Sequence, residues 1–524
     1  MDVQMVGFVQ PVPAPGDGGN DSERFEEDCA AIVVDVKEDP IESFKREPLV
    51  GSSAFSFKAS DGRTHGAVFE VASAVPRGDL ESGSRVKAVQ AELNDAIPMN
   101  LPSVLAAVDS SHPVVGQAQW SVQQAYAVVD QADVLWLPSI QAGFSFHRHD
   151  GNYQASNGQI VDVNRNSFQF GLGSGATGAG TTNTRPGLIA DFRLADAIFQ
   201  PRVARRNAWA RGHAAKAIIN EQMMSAALAY FDFLDAHQDL QIVDDSQNRF
   251  DELAELTVDF AEAGEGLNAD ADRLRTELAL VKNRRIQLEE GVEVAEARLA
   301  RAISLSQVGR LIPMDSSVLP IEFSSQLDDE SSHVQTALIM RPELKESQAL
   351  VSAACEAYRQ EKYAPFIPSV LLGFSSSGFG GGLGNNLDNV DERYDFDALM
   401  SWRVRNLGLG ESAIRRDRAA RIQQARYAKL RIMDDVALEV REALSQVRNR
   451  RRQIENAKTA IRTAEESYRL NLERIRDGEG LPLEALQSAQ ALEMTQREYL
   501  RSVIRYNQAQ IRLQWATGFP VSAM

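Results

Sequence analysis

The chain has 524 residues, of which 44% are apolar, 24% charged and 7% aromatic. That mixture supports a sizeable core and excludes a collagen, a mucin or a wholly disordered chain. A formal charge of -18 argues against a general nucleic-acid binder. No apolar run is long enough for a transmembrane helix, a test that is blind to transmembrane β-strands.

The N-terminus, Met1-Asp2-Val3-Gln4-Met5, has neither a basic n-region nor an apolar h-region. Read literally, it predicts a cytoplasmic protein; a true start lying upstream is the preferred alternative, and an atypical leader is another. Two cysteines, Cys29 and Cys355, are too few for a disulfide framework or a Cys-based zinc site. Cys29 lacks the apolar run of a lipoprotein signal. Residues 1–96, with a Pro- and Gly-rich start and an acidic stretch from Asp21 to Glu47, read as an irregular extension.

From about Leu101 the chain turns helical and an internal repeat appears. Leu137-Pro138-Ser139-Ile140 matches Ile367-Pro368-Ser369-Val370, and Gly264-Glu265-Gly266-Leu267 matches Gly478-Glu479-Gly480-Leu481. His112-Pro113-Val114 and Arg341-Pro342-Glu343-Leu344 precede the two Pro-Ser pairs. The order in both copies is helix, Pro-Ser, strands, long helix, Gly-x-Gly-Leu turn, helix. Residues 97–330 form the first repeat and residues 331–524 the second.

After Pro138, Ile140, Ala142, Phe144 and Phe146 alternate with polar or small residues, as do Leu188, Ala190, Phe192 and Leu194 further on. In the second copy Val370, Leu372 and Phe374 alternate less cleanly, followed by Phe396, Ala398, Met400, Trp402 and Val404. Period two with one apolar face predicts half-buried strands. Their length, roughly 9–11 residues, also suits a tilted crossing of a bilayer. The intervening Gly-, Asn- and Asp-rich stretches, 149–186 and 376–394, read as long loops. On the strands alone, a soluble hairpin packed on a core is the first reading, because alternation is a weak signal.

The helices shift that balance. Residues 201–263 and about 408–477 run almost without glycine and without proline beyond Pro201. At about 1.5 Å per residue each would be on the order of 100 Å long, which implies a coiled coil or helical barrel. Shorter helices fall at about 102–136, 268–305, 334–364 and 482–516. Pairs of them end to end match one long helix, giving four columns of similar height. Ala271, Leu274, Leu278, Val281, Leu288, Val292, Ala295, Leu299 and Ala302 keep a heptad rhythm broken at Arg285, and Tyr499, Val503, Tyr506 and Leu513 keep it in the second copy. Four strands cannot close a barrel alone, and an open edge is not tolerated in lipid, so strands in a membrane would require oligomerisation.

These features resemble the TolC-like outer-membrane efflux protein family over about residues 97–520. Besides the Pro-Ser and Gly-x-Gly-Leu phrases, Ala229-Tyr230-Phe231-Asp232-Phe233-Leu234 looks like the family's Ala-Tyr-Phe-x-Leu-Leu segment. Gly480-Leu481-Pro482-Leu483-Glu484-Ala485-Leu486-Gln487-Ser488-Ala489-Gln490 looks like its second turn and helix start. The resemblance implies a mainly α fold with a transmembrane β portion, a homotrimer whose twelve strands close a barrel in outer-membrane lipid above a periplasmic α-barrel. It implies a passive exit duct joined to an inner-membrane transporter by a periplasmic adaptor (membrane fusion) protein, without catalysis, cofactor or metal. It places adaptor docking at Gly264, Gly266, Leu267, Asn268, Gly478, Gly480, Leu481 and Pro482, where glycines that merely end one helix are the alternative. The pore constriction falls at Glu484 and Asp270, with Gln487 where a second acid is often found. An acid in a first helical turn also suits the helix dipole.

Other patterns carry little chemistry. Gly173-Ser174-Gly175-Ala176-Thr177-Gly178 fits G-x-G-x-x-G but no helix follows, as a nucleotide site requires, so it reads as a surface loop. His147 and His149 share a strand face without an obvious third ligand. Arg448-Asn449-Arg450-Arg451-Arg452 reads as a solvated helix face, and Trp136, Phe199, Phe366 and Trp402 as candidates for interfacial girdles, with core packing an equal alternative for Trp136 and Phe366. The competing reading of the whole is a soluble cytoplasmic coiled-coil scaffold, which would have no use for the alternating strands.

Overall fold

The computed structural model describes residues 97–520 apart from 109–111, 142, 172–187, 263–266, 306–309, 316, 324–328, 383–390 and 478–480. The extension read at 1–96 and the G-x-G-x-x-G segment therefore lie outside the described residues. The duplication is plain in the helices. The first repeat runs β1 (Ile97–Met99), α1 (Leu101–Ala107), α2 (Pro113–Asp133), β2 (Ser139–Gln141), β3 (Gly143–Gln154), β4 (Ile160–Gly171), β5 (Leu188–Arg193), α3 (Leu194–Glu262), α4 (Asn268–Ala302) and β6 (Leu311–Pro313). The second runs α5 (Glu330–Met340), α6 (Pro342–Tyr363), β7 (Ser369–Gly382), β8 (Asp391–Ser401), α7 (Leu409–Arg476) and α8 (Pro482–Ala516). The long helices α3 and α7 have 69 and 68 residues, and α4 and α8 have 35 each.

Two helices expected as continuous are broken. α1 and α2 are separate, as are α5 and α6, and in each case a proline, Pro113 or Pro342, opens the second helix. Proline at the first helical position is preorganised and has no N–H to leave unpaired, so these are stop-and-start points rather than kinks.

Two compact units are assembled, each from both repeats. One holds residues 121–213 and 344–431, and its centre is the sheet. β7 is the hub: it pairs antiparallel with β8 along one edge, and with β5 and then β4 along the other. β2 flanks β5 and β3 flanks β4. The register aligns Ile140, Ala190, Leu372 and Ala398 in one row, Leu188, Phe374 and Phe396 in the next, and Phe192, Val370 and Met400 in a third. Alternation read from four separate stretches thus becomes one continuous apolar face, on which Ile140, Phe396 and Met400 are exposed.

The expected loop at 149–186 is corrected over 149–171, its remainder lying outside the described residues. β3 continues to Gln154, a short turn at 155–159 reverses the chain, and β4 returns along β3 to Gly171. Gly143 pairs with Gly171, whereas Gln141 pairs with Ile189, so β4 and β5 lie end to end along β3 and β2. Glycine and asparagine lower strand propensity without forbidding it, and cross-strand pairing overrode the composition. β7 and β8 likewise extend to Gly382 and back to Asp391, into the second expected loop.

Around the sheet, Val129 and Ala132 of α2 pack on Ala204 and Ala208 of α3, and Cys355 and Tyr358 of α6 pack on Ile422 of α7. Trp136, Phe366 and Trp402 are exposed at the strand ends, not packed in the core. Phe199 is not among them: it is buried and stacked on Tyr363 with ring centroids 6.3 Å apart.

The other unit holds residues 97–120, 214–343 and 432–520 of the described chain. Its larger core gathers Tyr230, Phe233, Leu299, Ile504 and Ile511 beside the parallel pair of β1 and β6. Each fully buried side chain of this size contributes about 1.5–3 kcal/mol. At its C-terminal end Gly518 has φ +83°, closing α8 with bonds from its own N–H to Trp515 and from Phe519 N–H to Gln514. A Cβ there would lie 2.9 Å from the Arg341 nitrogen, so glycine is needed both for conformation and for space.

Candidate functional site

The two predicted turn regions lie in this second unit. Gly264, Gly266, Gly478 and Gly480 fall outside the described residues; the residues that follow them do not. Leu267 precedes α4 with φ -92° and ψ 130°, and Leu481 precedes α8 with φ -93° and ψ 131°. The first-turn bonds match too: Asp270 N–H to the Leu267 carbonyl and Glu484 N–H to the Leu481 carbonyl, both 3.0 Å. One backbone device is used twice. Neither leucine caps its helix with a side chain, and both are exposed, at 68% and 62%. Leu267 and Leu481 therefore present matching apolar points to solvent, beside an exposed Asn268 in the first turn and a half-buried Pro482 in the second.

Beneath them a small core holds the helix ends in place. Phe250 and Leu253 of α3, Leu274 of α4, Ile475 of α7 and Leu486 of α8 are buried together. The heptad residues Ala271, Leu274, Val281, Val292, Ala295 and Leu299 all face inward. Arg285, which breaks the rhythm, reaches Asp244 at 2.6 Å and Glu289 at 2.6 Å.

Of the expected constriction residues, Glu484 and Gln487 are exposed one turn apart on α8, and Asp270 is half-buried on α4. Within the chain Glu484 accepts from Arg474 at 3.0 Å, with both side chains about half exposed. Such a surface pair is worth about 0–1 kcal/mol and leaves the carboxylate accessible.

Sequence reasoning missed a polar layer further along α8. Glu493 is 4% exposed and accepts from Ser246 Oγ at 2.8 Å and Arg284 Nη1 at 2.5 Å, with Arg497 at 3.9 Å. Arg497 in turn holds the buried Asp239 through two bonds, 2.6 and 2.8 Å. A polar residue on a polar-looking helix gives no local sign that its partner lies across the bundle; only the spacing from the heptad positions could have hinted at it.

Asp235 lies one turn from Asp239. Burial, then the Asp239 charge, pushes its carboxyl up to about 6. A folded-state value above the unfolded one, about 3.9, means stability declines as pH rises between the two. Asp235→Asn is therefore expected to stabilise the protein above pH 6 and to lose that advantage below about pH 4. Denaturant midpoints of the two proteins measured across that window would show it; a pH-independent difference would refute the assignment.

No cluster of three metal-type ligands occurs among the described residues. His149 Nε2 instead sits 3.3 Å from the Asn152 carbonyl.

Among known sequences, the pattern of the family described as Outer membrane efflux protein matches residues 333–519. Among curated proteins, none matches the chain in sequence. Solved structures resemble it over most of their length. CusC, described in a study of folding and transmembrane channel formation, is 16% identical, with 80% of this chain and 92% of that one covered at a TM-score of 0.63. A membrane protein from Pseudomonas aeruginosa is 15% identical over 80% and 92%, at 0.65. The CmeC outer membrane channel of Campylobacter jejuni is 15% identical over 81% and 87%, at 0.61. The second repeat thus carries the pattern of the outer membrane efflux protein family, and the described chain shares the fold of these solved channel structures.

Proposed function

We propose that this protein is the outer-membrane exit duct of a tripartite export system, conducting substrates passively and working as a homotrimer. The observation that carries the reading is the sheet: one continuous apolar face, exposed aromatics at the strand ends, and two outer edges, β2 with β3 on one side and β8 on the other, each paired on one side only among the described residues. A face of that kind suits lipid, and its open edges can be satisfied in lipid only by further copies of the sheet. Four strands from each of three copies would supply a closed barrel. The native mass of protein extracted by detergent from outer membranes tests this. A trimer in that fraction supports the duct, and a soluble monomer in the cytoplasm overturns it.

The two helix turns are the docking points of a periplasmic adaptor, which couples the duct to an inner-membrane transporter. Support comes from the paired geometry and exposure of Leu267 and Leu481, which offer two equivalent apolar contacts per chain. Leu267→Glu combined with Leu481→Glu is expected to abolish co-purification with the adaptor while the trimer level stays unchanged. Unaltered co-purification would remove the turns from the interface.

Three copies of Glu484 near the trimer axis form a cation-sensitive ring, weakened by Gln487 where a further acid would stand. Glu484→Gln is expected to lower divalent-cation block in planar bilayers several-fold. If conductance and block both match the unsubstituted protein, the ring is elsewhere.

A further inference from the structure

The arginine run on α7 is not simply a solvated face. Arg451 is exposed and pairs with Glu322 at 3.3 Å. Arg450 turns the other way, half-buried against α8, where Nη1 donates to the Arg505 carbonyl at 2.6 Å. Beside it lies an open cleft of about 340 Å³ lined by Ser445, Gln446, Asn449, Arg450, Gln453 and Arg505. The five α7 residues lie at i, i+1, i+4, i+5 and i+8, one face of the helix, and Arg512 lies two turns from Arg505 on α8.

The chemistry of this lining is one-sided. Two guanidiniums, three carboxamides and a hydroxyl converge without a carboxylate. Neither Arg505 nor Arg512 forms an ion pair among the described residues. Asp235, whose carboxyl is pushed up to about 6, lies within electrostatic reach of Arg505 but does not line the cleft. Burial, with the Arg512 and Arg505 charges adding to it, holds the Arg450 guanidinium below its ordinary value. Gln446 Oε1 is buried with no hydrogen-bond partner. Carboxamide orientation is assigned from its surroundings, and an anion in the cleft would favour the flipped form that donates through nitrogen.

We propose that this cleft binds a small tetrahedral oxyanion of the phosphate or sulfate class, held by the Arg450 and Arg505 guanidiniums and by carboxamide donors from α7. Arginine suits such ligands because its planar fork matches two oxygens at once. The site is independent of whether the protein is a duct, since every lining residue belongs to one chain and one compact unit.

Titration of the purified full chain in detergent with inorganic phosphate at low ionic strength, followed by calorimetry, tests the site. Saturable binding of one phosphate per chain is expected, weakened at least about tenfold by Arg505→Gln, equivalent to about 1.4 kcal/mol. Arg505 is exposed and its side chain supports no contact in the core, so this variant should fold; Arg505→Lys should recover part of the affinity. Sulfate should compete and chloride should not. Absence of saturable binding overturns the proposal, as does equal binding by Arg505→Gln. A change of native mass in Arg505→Gln without phosphate binding to the parent protein would also overturn it, showing that a carboxylate of a second copy fills the cleft.

Discussion

Arg341→Ala is expected to destabilise the protein by about 3–5 kcal/mol, the cost of stripping one partner from a buried charge cluster. Arg341 is 4% exposed and sits at the break between α5 and α6. Its guanidinium donates to both Glu343 oxygens at 3.0 and 3.1 Å, reaches the Ala516 carbonyl at 3.5 Å, and lies 4.1 Å above the Trp515 ring. Glu439 approaches to 2.9 Å, off the hydrogen-bond direction. Burial already raises the Glu439 carboxyl above its ordinary value, and Arg341 opposes that shift. Removing the arginine raises it further, so the folded variant holds its proton to higher pH than the unfolded chain. The deficit should accordingly grow as pH rises and shrink in acid. Arg341→Lys keeps the charge but loses the two-pronged bond and the flat stacking, and should fall between. Denaturant unfolding at pH 5 and pH 8 would decide; a loss below about 1 kcal/mol at both would show that the cluster contributes little.

Glu493→Ala is the second large effect, at about 3 kcal/mol. The carboxylate is the meeting point of Ser246 and Arg284, and its loss leaves the serine without an acceptor and the arginine without a counter-charge. Glu493→Gln, which preserves shape and one acceptor oxygen, should cost less than half as much. Arg284 is about one-third exposed and can recover some hydration, which keeps the value at the lower end of the range for buried pairs. Equal unfolding midpoints for Glu493→Ala and the parent protein would mean that the layer is structurally idle.

These two residues mark the boundary of what could be read along the chain. Arg341-Pro342-Glu343 stands out as one half of a repeated phrase, yet its significance looked purely local. In the fold the proline starts α6, while the arginine ties that start to Trp515 and Ala516 at the far end of the chain. Glu493 had no sequence signature beyond its spacing from the heptad positions. Phe199 was legible as an aromatic at a strand end but not as the stacking partner of Tyr363, because a burial difference between two exposed-looking aromatics depends on which neighbour covers them.

The amino-acid sequence by itself determined the features whose cause is local. Proline and glycine mark the limits of the last two helices, so α8 spans Pro482–Ala516 as its spacing implies and α7 lies within a residue or so of its expected ends. By contrast, α3 begins at Leu194 and holds Pro201 in its interior, not at its start. Period two set the apolar side of each strand, and period 3.5 set the inward side of α4. The repeat followed from the same signals occurring twice. Tertiary structure alone decided how far the glycine-rich strands run, because pairing across β3, β4 and β7 supplies the bonds that composition does not promise. It alone decided which charges are buried and with whom: Ser246 and Glu493, or Asp239 and Arg497, are separated by about half the chain. A carboxylate on a helix looks the same in sequence whether water or an arginine from another helix satisfies it, and only packing removes the water.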